Sequence, residues 1–148
     1  MSAVGGIVFM ECVYVILEMG CTIKRLSVMA NKITVKFSID ETVFTISSPG
    51  IDAASIELVT CKIREQIKSV RINSIGDWLM YAARFYSTAT HTKNIAIMKF
   101  ILNAMISGWR VRKSVTRYGE YRFSKNHKGR RKFLSNKFLS RFLEHNAV

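Results

Sequence analysis

The chain has 148 residues, of which 49% are apolar and 22% charged. That balance suits one globular domain and excludes wholesale disorder, collagen-like repeats and a multi-pass membrane protein. Lys and Arg number 23 against 10 acids, a formal net charge of +13, so the chain repels itself and is drawn to polyanions such as nucleic acid or anionic lipid.

The charge is unevenly placed. Residues 1–28 balance Lys24 and Arg25 against Glu11 and Glu18, and residues 29–90 hold seven bases and six acids. Residues 91–148 hold fourteen bases and only two acids, Glu120 and Glu144. A stretch so one-sided, interleaved with aromatics, points to an anionic partner, although a solvated basic face has the same composition.

Residues 1–28 are mostly apolar, with Ile7 to Met10 and Val13 to Leu17 at their centre. A signal peptide needs positive charge ahead of its apolar core, and none precedes Lys24. A membrane span would carry Glu11 and Glu18, each costing roughly 2.5–3.5 kcal/mol near the bilayer centre. Met29-Ala30-Asn31-Lys32 resembles an ordinary protein start. The segment is therefore expected to be an apolar extension or a misassigned start, with a packed helix or strand, or a membrane anchor, as alternatives. The domain proper is expected over 29–148.

From there the pattern alternates. Ile33, Val35, Phe37 and Ile39 fall on one face and Lys32, Thr34, Lys36 and Ser38 on the other, so a β-hairpin is predicted over 32–47 with its turn at Asp40-Glu41. Ser47-Ser48-Pro49-Gly50 breaks it. Asp52 then caps an amphipathic helix of about 52–71, with Ile56, Val59, Ile63, Ile67 and Val70 inward. A second helical stripe follows in Ile75, Trp78, Leu79, Ala82, Phe85 and Tyr86. Residues 87–92 form a polar loop and a soft boundary. A third helix, about 93–107, turns Ile95, Met98, Ile101, Leu102, Met105 and Ile106 inward and stops at Gly108. Period two returns in 109–115 and in 120–125, with turns at 116–119 and 126–129 and a short third strand at 130–134. Ser135 caps a closing helix bearing Phe138, Leu139, Phe142 and Leu143. No internal repeat is visible. The predicted fold is α+β: an N-terminal β-hairpin, three amphipathic helices, a basic β-hairpin or three-stranded sheet, and a C-terminal helix. A winged-helix-like arrangement is the topological alternative, with Lys93, Lys99 and Asn103 the polar contacts of its third helix.

Catalytic signatures are missing from the sequence. Cys12, Cys21 and Cys61 match no zinc or redox spacing and are expected to be reduced and buried. His91, His127 and His145 are not at ligand spacing, and no pair of acids is placed for acid–base work. Neither a nucleophile elbow nor a phosphate-cradling glycine loop is present. The expectation is a non-enzymatic protein without metal or cofactor.

The informative segment runs from Gly108 to Leu134. Arg110, Arg112, Lys113, Arg117, Arg122, Lys125, His127, Lys128, Arg130, Arg131 and Lys132 fall within it, and period two projects Arg110 and Arg112 to one face and Arg122 to the polar face of the next strand. Such a ribbon can track a phosphate backbone, which Arg grips bidentately. Trp109, Val111, Tyr121 and Phe123 read as core; Tyr118, in a turn, is the better candidate for stacking on a base. Backbone-dominated, salt-sensitive binding follows, to DNA before RNA.

The run Gly108-Trp109-Arg110-Val111-Arg112-Lys113, then Tyr121-Arg122-Phe123-Ser124-Lys125-Asn126-His127, then Phe138-Leu139-Ser140-Arg141-Phe142-Leu143, resembles a module of small basic proteins from large nucleocytoplasmic DNA viruses of eukaryotes. The resemblance spans about residues 93–146 and carries no catalytic residues. It implies a viral origin, with a place in the virion or beside the viral genome in the host nucleus or cytoplasm. The expected function is nucleic-acid association through the basic hairpin. A structural or adaptor protein docking on an acidic protein, and a peripheral membrane protein, are the alternatives.

Overall fold

The structure, a computed structural model, describes residues 6–114, 120–127 and 130–134. Its elements run α1 (Ile7–Glu18), β1 (Thr22–Met29), β2 (Lys32–Ile39), β3 (Thr42–Ser47), α2 (Ala53–Val70), α3 (Ser74–Phe85), α4 (His91–Ile106), β4 (Arg110–Lys113), β5 (Tyr121–His127) and β6 (Arg130–Leu134). The fold is α+β. The strands form one antiparallel sheet in the order β3-β2-β1-β4-β5-β6. The winged-helix alternative does not hold: the basic strands join the N-terminal strands edge to edge through β1 and β4 rather than standing as a wing beside three helices. The expected C-terminal helix lies outside the described residues.

Within the segment read as an extension, or as a packed helix or strand, residues 7–29 form α1 and β1 and lie in the fold. Phe9, Met10, and Cys12 through Leu17 are all buried, because α1 packs against α2, α3, α4 and β4. A helix wrapped on all sides is apolar all round, which is why its sequence imitates a leader or a span. Its 12 residues reach about 18 Å at 1.5 Å per residue, against a hydrocarbon core of about 30 Å. Among the described residues no helix is long and apolar enough to cross a membrane. Met29-Ala30-Asn31-Lys32, which looked like a protein start, is the tight turn joining β1 to β2. Ala30 and Asn31 both take positive φ (52° and 58°), as do Asp40 and Glu41 (47° and 70°) in the predicted turn between β2 and β3. Two residues with φ above zero match the right-handed twist of the flanking strands.

The helices follow their apolar spacing except on α3 and at Ile106, expected inward on α4 but exposed in its last turn, where the helix runs out beside the Gly108 stop. On α2, Ile56, Val59, Ile63 and Ile67 are buried, and on α4 Met98, Ile101, Leu102 and Met105. On α3 only Trp78 and Phe85 of the predicted stripe are fully buried, while Ile75 and Leu79 are exposed. At roughly 100° per residue Ile75, Leu79 and Tyr86 sit a quarter-turn round the helix from the Trp78–Phe85 line that meets α1. Strand β5 also runs on through Asn126 and His127, shortening the turn expected at 126–129. Cys61 is exposed rather than buried; burial of Cys12 and Cys21 pushes each thiol up to about 12, so neither is reactive.

The element order contains a repetition that the residues do not show. A helix followed by three antiparallel strands occurs twice, as α1-β1-β2-β3 and α4-β4-β5-β6, with α2 and α3 between. Gly20 corresponds to Gly108, an offset of 88 residues (20 to 108). Both glycines take positive φ, +89° and +99°. Both close a helix in the same way. The Gly20 and Cys21 N–H groups donate to Leu17 and Ile16 oxygens, and the Gly108 and Trp109 N–H groups to Met105 and Ala104 oxygens, each at 3.0 Å. The same offset carries buried Met10, Val13, Tyr14 and Leu17 onto buried Met98, Ile101, Leu102 and Met105. It also carries Ile23 onto Val111, and these two residues pair with each other across β1 and β4. Equivalent residues that pair antiparallel place a local twofold axis between them, normal to the sheet.

Candidate nucleic-acid interface

The helices cover one face of the sheet. Ile23, Leu26, Ile33, Val35, Phe37, Ile39, Val111, Tyr121 and Phe123 point into them and are buried. Alternation along each strand sends the remaining residues to the opposite face. There stand Arg25, Lys32 and Lys36 of β1 and β2, and Arg110, Arg112 and Arg122 of β4 and β5, all exposed. Between them lie Thr22, Ser27, Thr34, Ser38, Thr45, Ser47 and Ser124. The six strands hold twelve Lys and Arg, four in β1–β3 and eight in β4–β6, and no Asp or Glu. Every acid of the described residues is confined to a helix or a connection.

Cross-strand register sharpens the electrostatics. Arg112 is the direct partner of Arg122, and Arg25 of Lys36. Like charges directly opposite destabilise a sheet, and neither ion pair found among the described residues involves these four side chains. The main-chain register adds Lys125 opposite Lys132, Asn126 opposite Arg131 and His127 opposite Arg130 on β5 and β6.

The residues expected to bind are thus divided. Arg110, Arg112 and Arg122 share the open face. Lys113 does not: it points to the helix side, where its ammonium pairs with the Glu18 carboxylate at the end of α1, the two side chains only 18% and 7% exposed. Lys125 donates to the Ser107 carbonyl oxygen at 2.7 Å, and its ammonium lies 5.7 Å from the Trp109 ring centroid. His127, Arg130, Arg131 and Lys132 are placed on β5 and β6, and Arg117, Tyr118 and Lys128 lie outside the described residues. Tyr121 and Phe123 are buried and Trp109 packs against the core, so none of the three is a stacking platform.

Arg25, Lys32 and Lys36 are the residues that sequence reasoning missed. Lys32 and Lys36 were visible on the polar face of the first hairpin. What connects them to the basic segment is the β1–β4 pairing, which joins residues far apart in the chain. A local signal did exist: strands without a single acid occur in both halves of the sequence.

The remaining polar cluster is structural. Arg71 binds Asp40 through Nε and Nη2, each at 2.9 Å, and donates from Nη1 to the Met19 carbonyl at 2.8 Å, tying the end of α2 to the β2–β3 turn and the end of α1. The guanidinium holds the Asp40 carboxyl below its ordinary range. Among the described residues no three His, Cys, Asp or Glu side chains form a metal cluster. No family model matches the chain, and neither the curated proteins nor the solved structures contain a match to it.

Proposed function

We propose that this chain is a nucleic-acid-binding protein, without catalysis of its own, that holds phosphate backbones against the open face of its sheet. One observation carries the reading: Arg110, Arg112 and Arg122 project together from adjacent strands that contain no acid, with Arg112 and Arg122 opposed and in no ion pair among the described residues. Guanidinium groups in that arrangement take phosphate bidentately. Contacts of guanidinium and hydroxyl groups with phosphate and sugar carry no sequence information, so affinity is dominated by the backbone and falls steeply with salt. The resemblance of residues 93–146 to a viral basic module fits work beside a viral genome.

The test is fluorescence anisotropy of the full chain against duplex DNA, single-stranded DNA, RNA and heparin over a salt series. Preference for a nucleic acid over heparin, lost in Arg112→Glu/Arg122→Glu without loss of fold, is the expected result. Equal binding to every polyanion reduces the surface to bulk charge. Absence of binding at physiological salt overturns the reading in favour of an acidic protein partner.

A further inference from the structure

We infer that the nucleic acid this surface takes is a duplex, laid across the β1–β4 seam so that the two αβββ units each hold one of its strands. The inference rests on the phosphate-binding reading above and adds the ligand class and the participation of the N-terminal half.

Three observations converge on it. The first is symmetry. The twofold axis implied by the Ile23–Val111 pair runs normal to the sheet and emerges on its open face. A duplex has local twofold axes of its own, because its strands are antiparallel, so a protein dyad aligned with one of them turns one unit toward each backbone, with cations on both sides of the axis although not at equivalent positions, Arg122 answering to Thr34 and Lys36 to Ser124.

The second is the placement of charge. Arg25 and Lys36 oppose each other on one side of the seam, and Arg112 and Arg122 on the other. Lys36 on β2 and Arg122 on β5 are separated by three strand spacings, about 14 Å at ~4.8 Å each. The major groove of B-form DNA is about 12 Å wide, so cations at this separation reach the phosphates that border one groove on both strands. The third is what lies between the cations. Thr22, Ser27, Thr34, Ser38, Thr45, Ser47 and Ser124 bring hydroxyls to the open face, which hydrogen-bond phosphate and sugar, with Met29 and Val43 the apolar side chains among them.

The experiment compares the full chain with two variants, Lys32→Gln/Lys36→Gln in the N-terminal half and Arg112→Gln/Arg122→Gln in the C-terminal half. All four residues are exposed, and circular dichroism and a melting curve confirm that the variants fold. The probes are a duplex DNA oligonucleotide, a duplex RNA and a single strand of the same length, titrated by anisotropy at several salt concentrations. Each variant should flatten the log–log salt slope for a duplex by about 2, since each phosphate contact contributes about 0.9. The wild type should bind a duplex more tightly than the single strand. A slope that flattens in the C-terminal variant alone overturns the duplex placement and leaves the phosphate-binding reading intact. Equal or tighter binding of the single strand overturns it as well. A slope unchanged in both variants removes both readings together.

Discussion

The two αβββ units share a backbone plan and differ in everything that faces outward. Along residues 7–47 four bases meet four acids; along residues 91–134 twelve bases meet one. Their cores use different residues for the same space, Ile23, Ile33 and Val35 in one and Val111, Tyr121 and Phe123 in the other, all buried. The strand connections differ too: two residues join β1 to β2, whereas residues 114–120 join β4 to β5, closed by the Ser114 N–H on the Glu120 oxygen at 2.9 Å. The lesson is that an apolar helix, a left-handed glycine and alternating strands are enough to set the unit, while outward positions are free to collect charge. The units also differ in burial. Glu11, Val15 and Glu18 of α1 lie beneath neighbouring elements, whereas the equivalent Lys99, Asn103 and Ile106 of α4 are exposed, because α2 and α3 are stacked on the first unit's helix.

The strongest way to break the comparison is to remove one unit's helix. Truncation to residues 29–148 deletes α1 and β1, and with them the centre of the core and the middle of the sheet. The expected product has no cooperative melting transition, and a native-like melt would show the second unit to be self-sufficient. Next is the contact that joins the units. Lys113→Met strands the Glu18 carboxylate in a mostly buried site and should cost about 3 kcal/mol in urea denaturation. Adding Glu18→Leu should recover part of that loss, and no recovery would mean that Lys113 is needed for its other contacts.

Smaller changes sharpen the contrast. Glu41 takes a left-handed conformation at the tip of β2–β3, where the second unit carries Gly129 at the equivalent sequence position. Glu41→Gly should stabilise by about 1 kcal/mol, read as a raised denaturation midpoint. Arg122→Thr gives the second unit the residue the first carries at Thr34. Relief of the Arg112–Arg122 repulsion should add about 0.5 kcal/mol at low salt, and the gain should vanish in 1 M salt, where charges are screened beyond about 3 Å. The gentlest effect is a slope with pH. Burial raises the Glu11 carboxyl above its ordinary range, against the opposing pull of Arg64 and the Tyr86 hydroxyl. The folded state therefore holds this proton more tightly than the unfolded chain. Its contribution is present at low pH and is lost as pH rises through the folded-state value. Glu11→Gln should flatten the fall in stability between about pH 4 and neutrality, and an unchanged profile would remove Glu11 as its source.

Much of the architecture is legible locally. The α2 stripe, the Asp40-Glu41 turn, the Gly108 stop and the alternation of β2, β4 and β5 each arise within a few residues, where backbone preference and burial agree. The α1 segment was illegible for the opposite reason: a helix buried from Phe9 to Leu17 except at Glu11 has no broad polar face to give it a period. Ile75 and Leu79 misled because spacing marks the apolar side of a helix, and only the neighbour's position decides which part of that side is covered. Of the interface, Arg110, Arg112 and Arg122 follow from period two. The withdrawal of Lys113 to Glu18 does not, since its partner lies in α1.

By itself the amino-acid sequence determined the α+β class, most element positions and the concentration of positive charge in the last third of the chain. Those depend on short-range patterns and on composition. Only the tertiary structure decided that residues 7–29 are the heart of the fold, that two equivalent units meet at Ile23 and Val111, and that Arg25, Lys32 and Lys36 share a face with Arg110, Arg112 and Arg122. The pairing of β1 with β4 brings together residues 88 positions apart (23 and 111), and no local preference encodes which strand edges meet. That choice comes from burying one continuous apolar face of the sheet under the helices, a property of the whole chain.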